Sequence, residues 1–238
     1  MADKILEIRN LHKSFGGVHA VNDVTFHVLR GEILGLIGPN GSGKSTIVNL
    51  ISGIYIPDSG ECLLQNESIW KYSIAKRSHL GIGRTFQSPK PFAGISVFNS
   101  IYTIALQKHT YKAAEERSLE ILDMMGLSSL KDMRSEKLPI EKRKWLDMAR
   151  ILATDPQIIM LDEVMAGLNP SEMDDSIALV QKINQTGITI VFIEHVMKAV
   201  MRLCHRIVVI NEGQLLCEGN PEEVMNTPEV IKAYLGGG

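Results

Sequence analysis

Apolar positions along the chain follow two rhythms, and the change from one to the other predicts most of its architecture. Residues 5–11 and 19–28 carry short apolar runs and alternations interrupted by Gly16-Gly17, the pattern of antiparallel strands joined by a turn. Residues 32–38, EILGLIG, form a near-continuous apolar run, as a strand covered on both faces would. That run leads into PNGSGKST and a helical stretch that should stop near Gly53. A turn at Pro57-Asp58-Ser59-Gly60 precedes a strand in ECLLQ, and LGIGRTFQ, residues 80–87, reads as a further strand. From 88 to 153 the rhythm becomes helical, with Ala114, Leu119, Leu122 and Met125 expected on one buried face and Gly126 as the cap. This stretch is the expected inserted helical lobe of a single domain, 1–238.

After Asp155-Pro156 the strand rhythm returns in QIIMLDE, GITIVFIE and RIVVI, separated by helices starting at Asn169-Pro170 and near Val196. Asn169, Pro170 and Glu172 fit the cap, first and third positions of a capping box. The tail predicts a hairpin around Asn211-Glu212-Gly213 and short helical pieces at Pro221 and Pro228. Strands alternating with helices imply a mostly parallel sheet of the α/β class, preceded by a small antiparallel sheet.

Composition narrows the function classes. Lys and Arg total 25 against 27 Asp and Glu, a net charge of −2, so no basic surplus is available for a nucleic-acid backbone. Cys62, Cys204 and Cys217 form no CxxC pair, which suggests neither a disulfide framework nor a zinc site. The opening MADKILEIRN lacks the apolar core of a signal peptide, and no apolar run approaches the ~18 residues of a membrane span. A reduced cytosolic setting is the expectation.

The chemistry is concentrated at strand ends. Gly38-Pro39-Asn40-Gly41-Ser42-Gly43-Lys44-Ser45-Thr46 satisfies GxxxxGK[ST] between a buried strand and a helix, which is the context a phosphate-binding P-loop needs. Its glycines let backbone N–H groups turn toward phosphate oxygens, Lys44 reaches the β and γ phosphates, and Ser45 offers a hydroxyl to magnesium. Asp162 and Glu163 close an apolar strand; Asp162 would hold the magnesium shell and Glu163 would polarise water. Without a P-loop the two acids would read as caps of the next turn. With one, catalysis is the better reading.

The P-loop, Gln87, the LDE strand and His195, in that order, resemble the ATPase domain of ABC transporters over essentially the whole chain. FGGVHAVNDV, GIGRTFQ, EVMAGLNP and the closing NPEEVMNTPEVIKAYLG are similar to the ATP-binding subunits of branched-chain amino-acid importers. The resemblance implies a P-loop NTPase of RecA-like, mostly parallel sheet, with an N-terminal antiparallel β subdomain and an inserted α-helical subdomain. It implies ATP and Mg²⁺ as cofactors and a site on the cytoplasmic face of the membrane. The implied partners are a second ATPase subunit, permease subunits and, indirectly, a substrate-binding protein. By the same resemblance Phe15 stacks on adenine, Gln87 senses magnesium and water, and His195 contacts the γ phosphate. Asn169 falls where most of the family has the D-loop aspartate.

The main departure is the signature, normally LSGGQ, which reads here Leu138-Pro139-Ile140-Glu141-Lys142 in a register fixed by LDMARIL. In the family its serine and glycine N–H groups grip the γ phosphate of the opposite subunit. Pro139 has neither hydroxyl nor N–H and Glu141 adds negative charge, which predicts a weak site in an asymmetric pair. Pro139 and Glu141 also suit a first helical turn. Ser88-Pro89-Lys90-Pro91-Phe92 is expected to border a groove for a cytoplasmic helix of the permease. A P-loop GTPase is disfavoured because NKxD is absent. A soluble ABC ATPase outside transport and a weakly catalytic partner subunit remain the alternatives.

Overall fold

The computed structural model describes residues 3–86 and 92–235. Strands β1 (Lys4–Phe15) and β2 (Val18–Leu29) pair antiparallel across the Gly16-Gly17 turn. All five residues of β3 (Ile33–Ile37) are buried, and the P-loop then opens α1 (Lys44–Ser52), which Gly53 caps with φ +85°. Next come β4 (Ser59–Leu64), β5 (Glu67–Ser68), α2 (Ile74–His79) and β6 (Ile82–Arg84). The strand expected over 80–87 is therefore shorter at its start, because the Leu80 N–H still bonds back to the Lys76 carbonyl of α2 at 3.0 Å.

The next stretch holds α3 (Val97–Ala105), α4 (Tyr111–Met124) and α5 (Ile140–Leu152). On α4, Ala114, Leu122 and Met125 are buried as expected, but Leu119 is 45% exposed. Ser118 takes the inner position, its hydroxyl donating to the Ala114 carbonyl at 2.6 Å. A period of ~3.6 places 118 and 121, not 119, under 114 and 125. Gly126 follows the cap with φ +64°.

The chain closes with β7 (Ile158–Asp162), α6 (Pro170–Gln185), β8 (Thr189–Ile193), α7 (Met197–Leu203), β9 (Arg206–Asn211), β10 (Gln214–Gly219), α8 (Pro221–Met225) and α9 (Pro228–Leu235). The capping box forms: the Glu172 N–H donates to Asn169 Oδ1 at 3.0 Å and the Asn169 N–H to Glu172 Oε2 at 2.9 Å.

A four-stranded sheet runs β2-β1-β4-β5, and a six-stranded sheet runs β10-β9-β3-β8-β7-β6, parallel except at the β10 edge. Leu36, Met160, Val191 and Val208 face α1 and the antiparallel sheet, while Ile37, Leu161, Phe192 and Val209 face the helices. Covering on both faces explains why these strands read as unbroken apolar runs. In such sheets ligands bind at the carboxyl ends of the strands, where β3, β7 and β8 deliver Gly38, Glu163 and Glu194.

Candidate nucleotide site

The P-loop is shaped by positions where a side chain cannot fit. A Cβ on Gly38 would lie 2.0 Å from the Ile210 carbonyl oxygen, and one on Gly43, at φ +107°, 2.4 Å from that of Ala20. Lys44 Nζ donates to the Gly38 and Pro39 carbonyls, both at 2.8 Å, and to Ser42 Oγ at 3.3 Å. Burial lowers the Lys44 pKa, and the charges of Glu163 and Asp162 oppose that shift, so the amine shares a field with both acids. Asn40, Gly41 and Ser45 are exposed and Thr46 half-buried. The first-turn amides of α1 have no intrahelical acceptor, which makes this rim a ready anion site.

Asp162 is buried and pairs with Arg84, Nη2 lying 3.0 Å from Oδ2. Arg84 also donates to Asn49 Oδ1 at 2.5 Å and Ser52 Oγ at 3.2 Å, which ties β6 to α1 and β7. The Asp162 N–H is held by Thr85 Oγ1 at 2.9 Å. Glu163 lies in the left-handed region at φ +51°, its N–H donating to the Ile193 carbonyl at 2.9 Å. His195 Nδ1 stands 4.0 Å from Glu163 Oε1, within electrostatic reach but too far for a hydrogen bond. The imidazole is half exposed, beside Glu163. Gln87 and residues 88–91 lie outside the described residues. Phe15, at the end of β1, is 41% exposed and meets the Tyr55 ring edge-on at 5.1 Å.

The signature-place segment departs from expectation. Pro139 is the cap of α5 and Ile140 its first residue, half exposed, while Leu138 is buried. Glu141 turns inward: it is 7% exposed and its Oε2 lies 3.3 Å from Lys142 Nζ. The negative charge that Glu141 adds is thus buried, with Oε2 beside Lys142 and Oε1 without a hydrogen-bond partner among the described residues. Lys142 in turn lies 3.2 Å over the Trp145 ring, whose Nε1–H donates to Ser176 Oγ at 3.0 Å and pins α5 to α6.

Sequence reading passed over Arg84, Lys144 and Glu194. Each interrupts an apolar or helical pattern with a charge, and Arg84 and Glu194 do so at strand ends. Lys144 and Glu194 are both buried, at 7% and 1% exposure.

A buried parallel sheet that sets a P-loop beside two strand-end acids is the framework of a phosphate-loop ATPase. Residues 21–166 match the profile described as "ABC transporter", and residues 214–238 the one described as "Branched-chain amino acid ATP-binding cassette transporter". The chain belongs to the ABC transporter family and is one of its ATPases, a nucleotide-binding subunit.

Among individual proteins it is similar to the high-affinity branched-chain amino acid transport ATP-binding protein BraF of Pseudomonas aeruginosa, 35% identical with 99% of both chains covered. LivG of Escherichia coli, described in the same words, is 34% identical, also with 99% of each covered. The lipopolysaccharide export system ATP-binding protein LptB of Acidithiobacillus ferridurans is 30% identical over 98% of this chain and 97% of that one. A solved ATP-binding cassette of an ABC transporter in its ADP conformation superposes with a TM-score of 0.89 at 31% identity, covering 98% of this chain and 99% of that one. Among the described residues no helix is long and apolar enough to cross a membrane.

Proposed function

We propose that the chain energises an importer of branched-chain or related amino acids, as one of two ATPase subunits on the cytoplasmic face of the membrane. It would work with permease subunits and, through them, an external substrate-binding protein. The observation that carries this reading is the P-loop set beside the strand-end acids Asp162 and Glu163, in a chain whose residues 214–238 match the branched-chain amino acid transporter profile. The helical lobe, 88–153, is read as part of the single domain 1–238.

Lys44 and the amides around Gly41, Gly43, Ser45 and Thr46 take the phosphates, Asn40 lies on the rim, and Phe15 offers its open ring to the base. Glu163 takes the proton of the attacking water, and His195 and Gln87 complete the γ-phosphate side. The donors present suit magnesium: the Ser45 hydroxyl and the Asp162 carboxylate are hard oxygens, and Gln87 adds an amide oxygen. When bound there, the ion would neutralise charge developing on the phosphates.

Phe86 and Phe92, 58% and 37% exposed, line a mostly apolar cavity of about 600 Å³ together with Ile54, Ile74, Ile104 and Ile151. We read it as the seat of a short cytoplasmic helix of the permease. The test is reconstitution with co-purified membrane subunits in proteoliposomes. ATP-dependent uptake of labelled leucine that Lys44→Ala abolishes supports the reading. Export of a lipid cargo, or no co-purifying permease, would sink it.

A further inference from the structure

Two buried charges outside the residues already assigned grip the loop that follows Glu163. From one side Lys144, in the second turn of α5, donates its ammonium to the Ala166 carbonyl. From the other, Glu194 beyond β8 accepts the Met165 N–H at Oε1, 2.7 Å, while its Oε2 takes the His195 N–H at 3.3 Å. The Ala166 N–H bonds back to the Glu163 carbonyl at 3.2 Å. Neighbouring residues of one loop are therefore held by opposite charges from two different elements.

A leucine or methionine would pack α5 against this loop at lower desolvation cost than a buried ammonium. What the ammonium adds is direction: it fixes where one carbonyl points. Its surroundings are the acids of the site, since burial lowers the Lys144 pKa while Glu194 and Glu163 oppose the shift.

We propose that Lys144 is a positioning residue for ATP hydrolysis, fixing with Glu194 the backbone that aims Glu163 at the attacking water. This rests on Glu163 being the base.

The experiment compares wild type, Lys144→Met, Lys144→Arg and Glu163→Gln, each purified with its membrane partners, by ATPase kinetics and thermal melting. Misaiming a catalytic group by ~1 Å costs up to ~10²-fold. Lys144→Met should lower kcat ~10- to 100-fold, change KM for ATP less than ~3-fold, and lower the melting temperature by no more than the few degrees one unpaired carbonyl costs, so that the folded fraction at the assay temperature is unchanged. Lys144→Arg, which keeps a long cationic donor, should restore most of kcat. A kcat for Lys144→Met within about twofold of wild type, a loss confined to KM, or equal losses for Met and Arg overturns the proposal. If Lys144→Met does not fold, Lys144→Gln is read the same way, since it is polar but one bond too short to reach Ala166. Full turnover by Glu163→Gln would instead refute the underlying assignment of the base.

Discussion

At Glu163 the backbone holds a left-handed conformation that costs a non-glycine residue roughly 1 to 2 kcal/mol. The neighbours that enforce it are the Ile193 carbonyl and the turn closed by Ala166. Strain held this way at a strand end puts a carboxylate at a set angle to Lys44. Glu163→Gln should keep ATP binding and lower hydrolysis by ~10² to 10⁴, measured by nucleotide binding and single-turnover assay on the same preparation. A separate prediction concerns Phe15. Its exposed ring should be worth ~0.5 to 1.5 kcal/mol of stacking, so Phe15→Ser would weaken ATP binding ~2- to 10-fold without touching the single-turnover rate. An unchanged dissociation constant would remove Phe15 from the base site.

At the scale of elements, α1 is anchored at its far end by Arg77, a guanidinium only 2% exposed. It donates to the Leu50 and Ile51 carbonyls at 2.6 and 2.7 Å and to those of Tyr72 and Trp70 at 3.1 Å each. Of these acceptors the Leu50 carbonyl also takes the Gly53 N–H at 3.2 Å, whereas the Ile51 carbonyl, in the last turn of α1, is one the helix itself cannot satisfy. Arg77→Leu would take the donor from the Ile51, Tyr72 and Trp70 carbonyls at a cost of ~3 kcal/mol. For a chain of this size that lowers the melting temperature by ~6 to 12 °C, checked by calorimetry. Helix α5 gives the signature argument a changed form. With Glu141 buried beside Lys142, the deficit at 139 is the missing serine hydroxyl and N–H. A hydrogen bond to a charged group is worth ~1.5 to 3 kcal/mol. Pro139→Ser should therefore raise turnover at the site this segment completes by about tenfold or more. Turnover can be measured with the opposite subunit's base intact and Glu163 replaced by Gln. No gain would mean that Pro139 does not limit that site.

Over the whole molecule, the nucleotide edge and the apolar cavity share β6: Arg84 pairs with Asp162 at one side and lines the cavity at the other. A helix seated against Phe86 and Phe92 therefore lies one side chain away from the aspartate of the site. Phe92 is covered on one face by Arg150, 3.7 Å from the ring, and is not part of the core. Phe92→Asp should leave nucleotide affinity near normal and abolish transport or co-purification of the permease, read by uptake in proteoliposomes and by pull-down. Unimpaired uptake would move the docking site elsewhere.

Much of this was legible in the chain because the signals are local. Four buried parallel strands announce themselves as apolar runs, the P-loop fits between one of them and its helix, and Asn169, Pro170 and Glu172 form their capping box within four residues. Helix α2 was not legible, being six residues long with one buried side chain. Leu119 misled because four apolar residues can be fitted to more than one helical face. What only the tertiary structure decided are contacts between distant positions: Arg84 with Asp162, 78 residues apart, Glu194 with Met165, 29 apart, and Lys144 with Ala166, 22 apart. Those pairings depend on the strand order β3-β8-β7-β6 and on where α5 lies against the loop after β7. The sequence by itself determined where the P-loop and the strand-end acids lie, because motif and strand end coincide along the chain. The fold alone determined which backbone groups the buried charges meet, because a charge's partner in a protein interior is chosen by packing rather than by spacing.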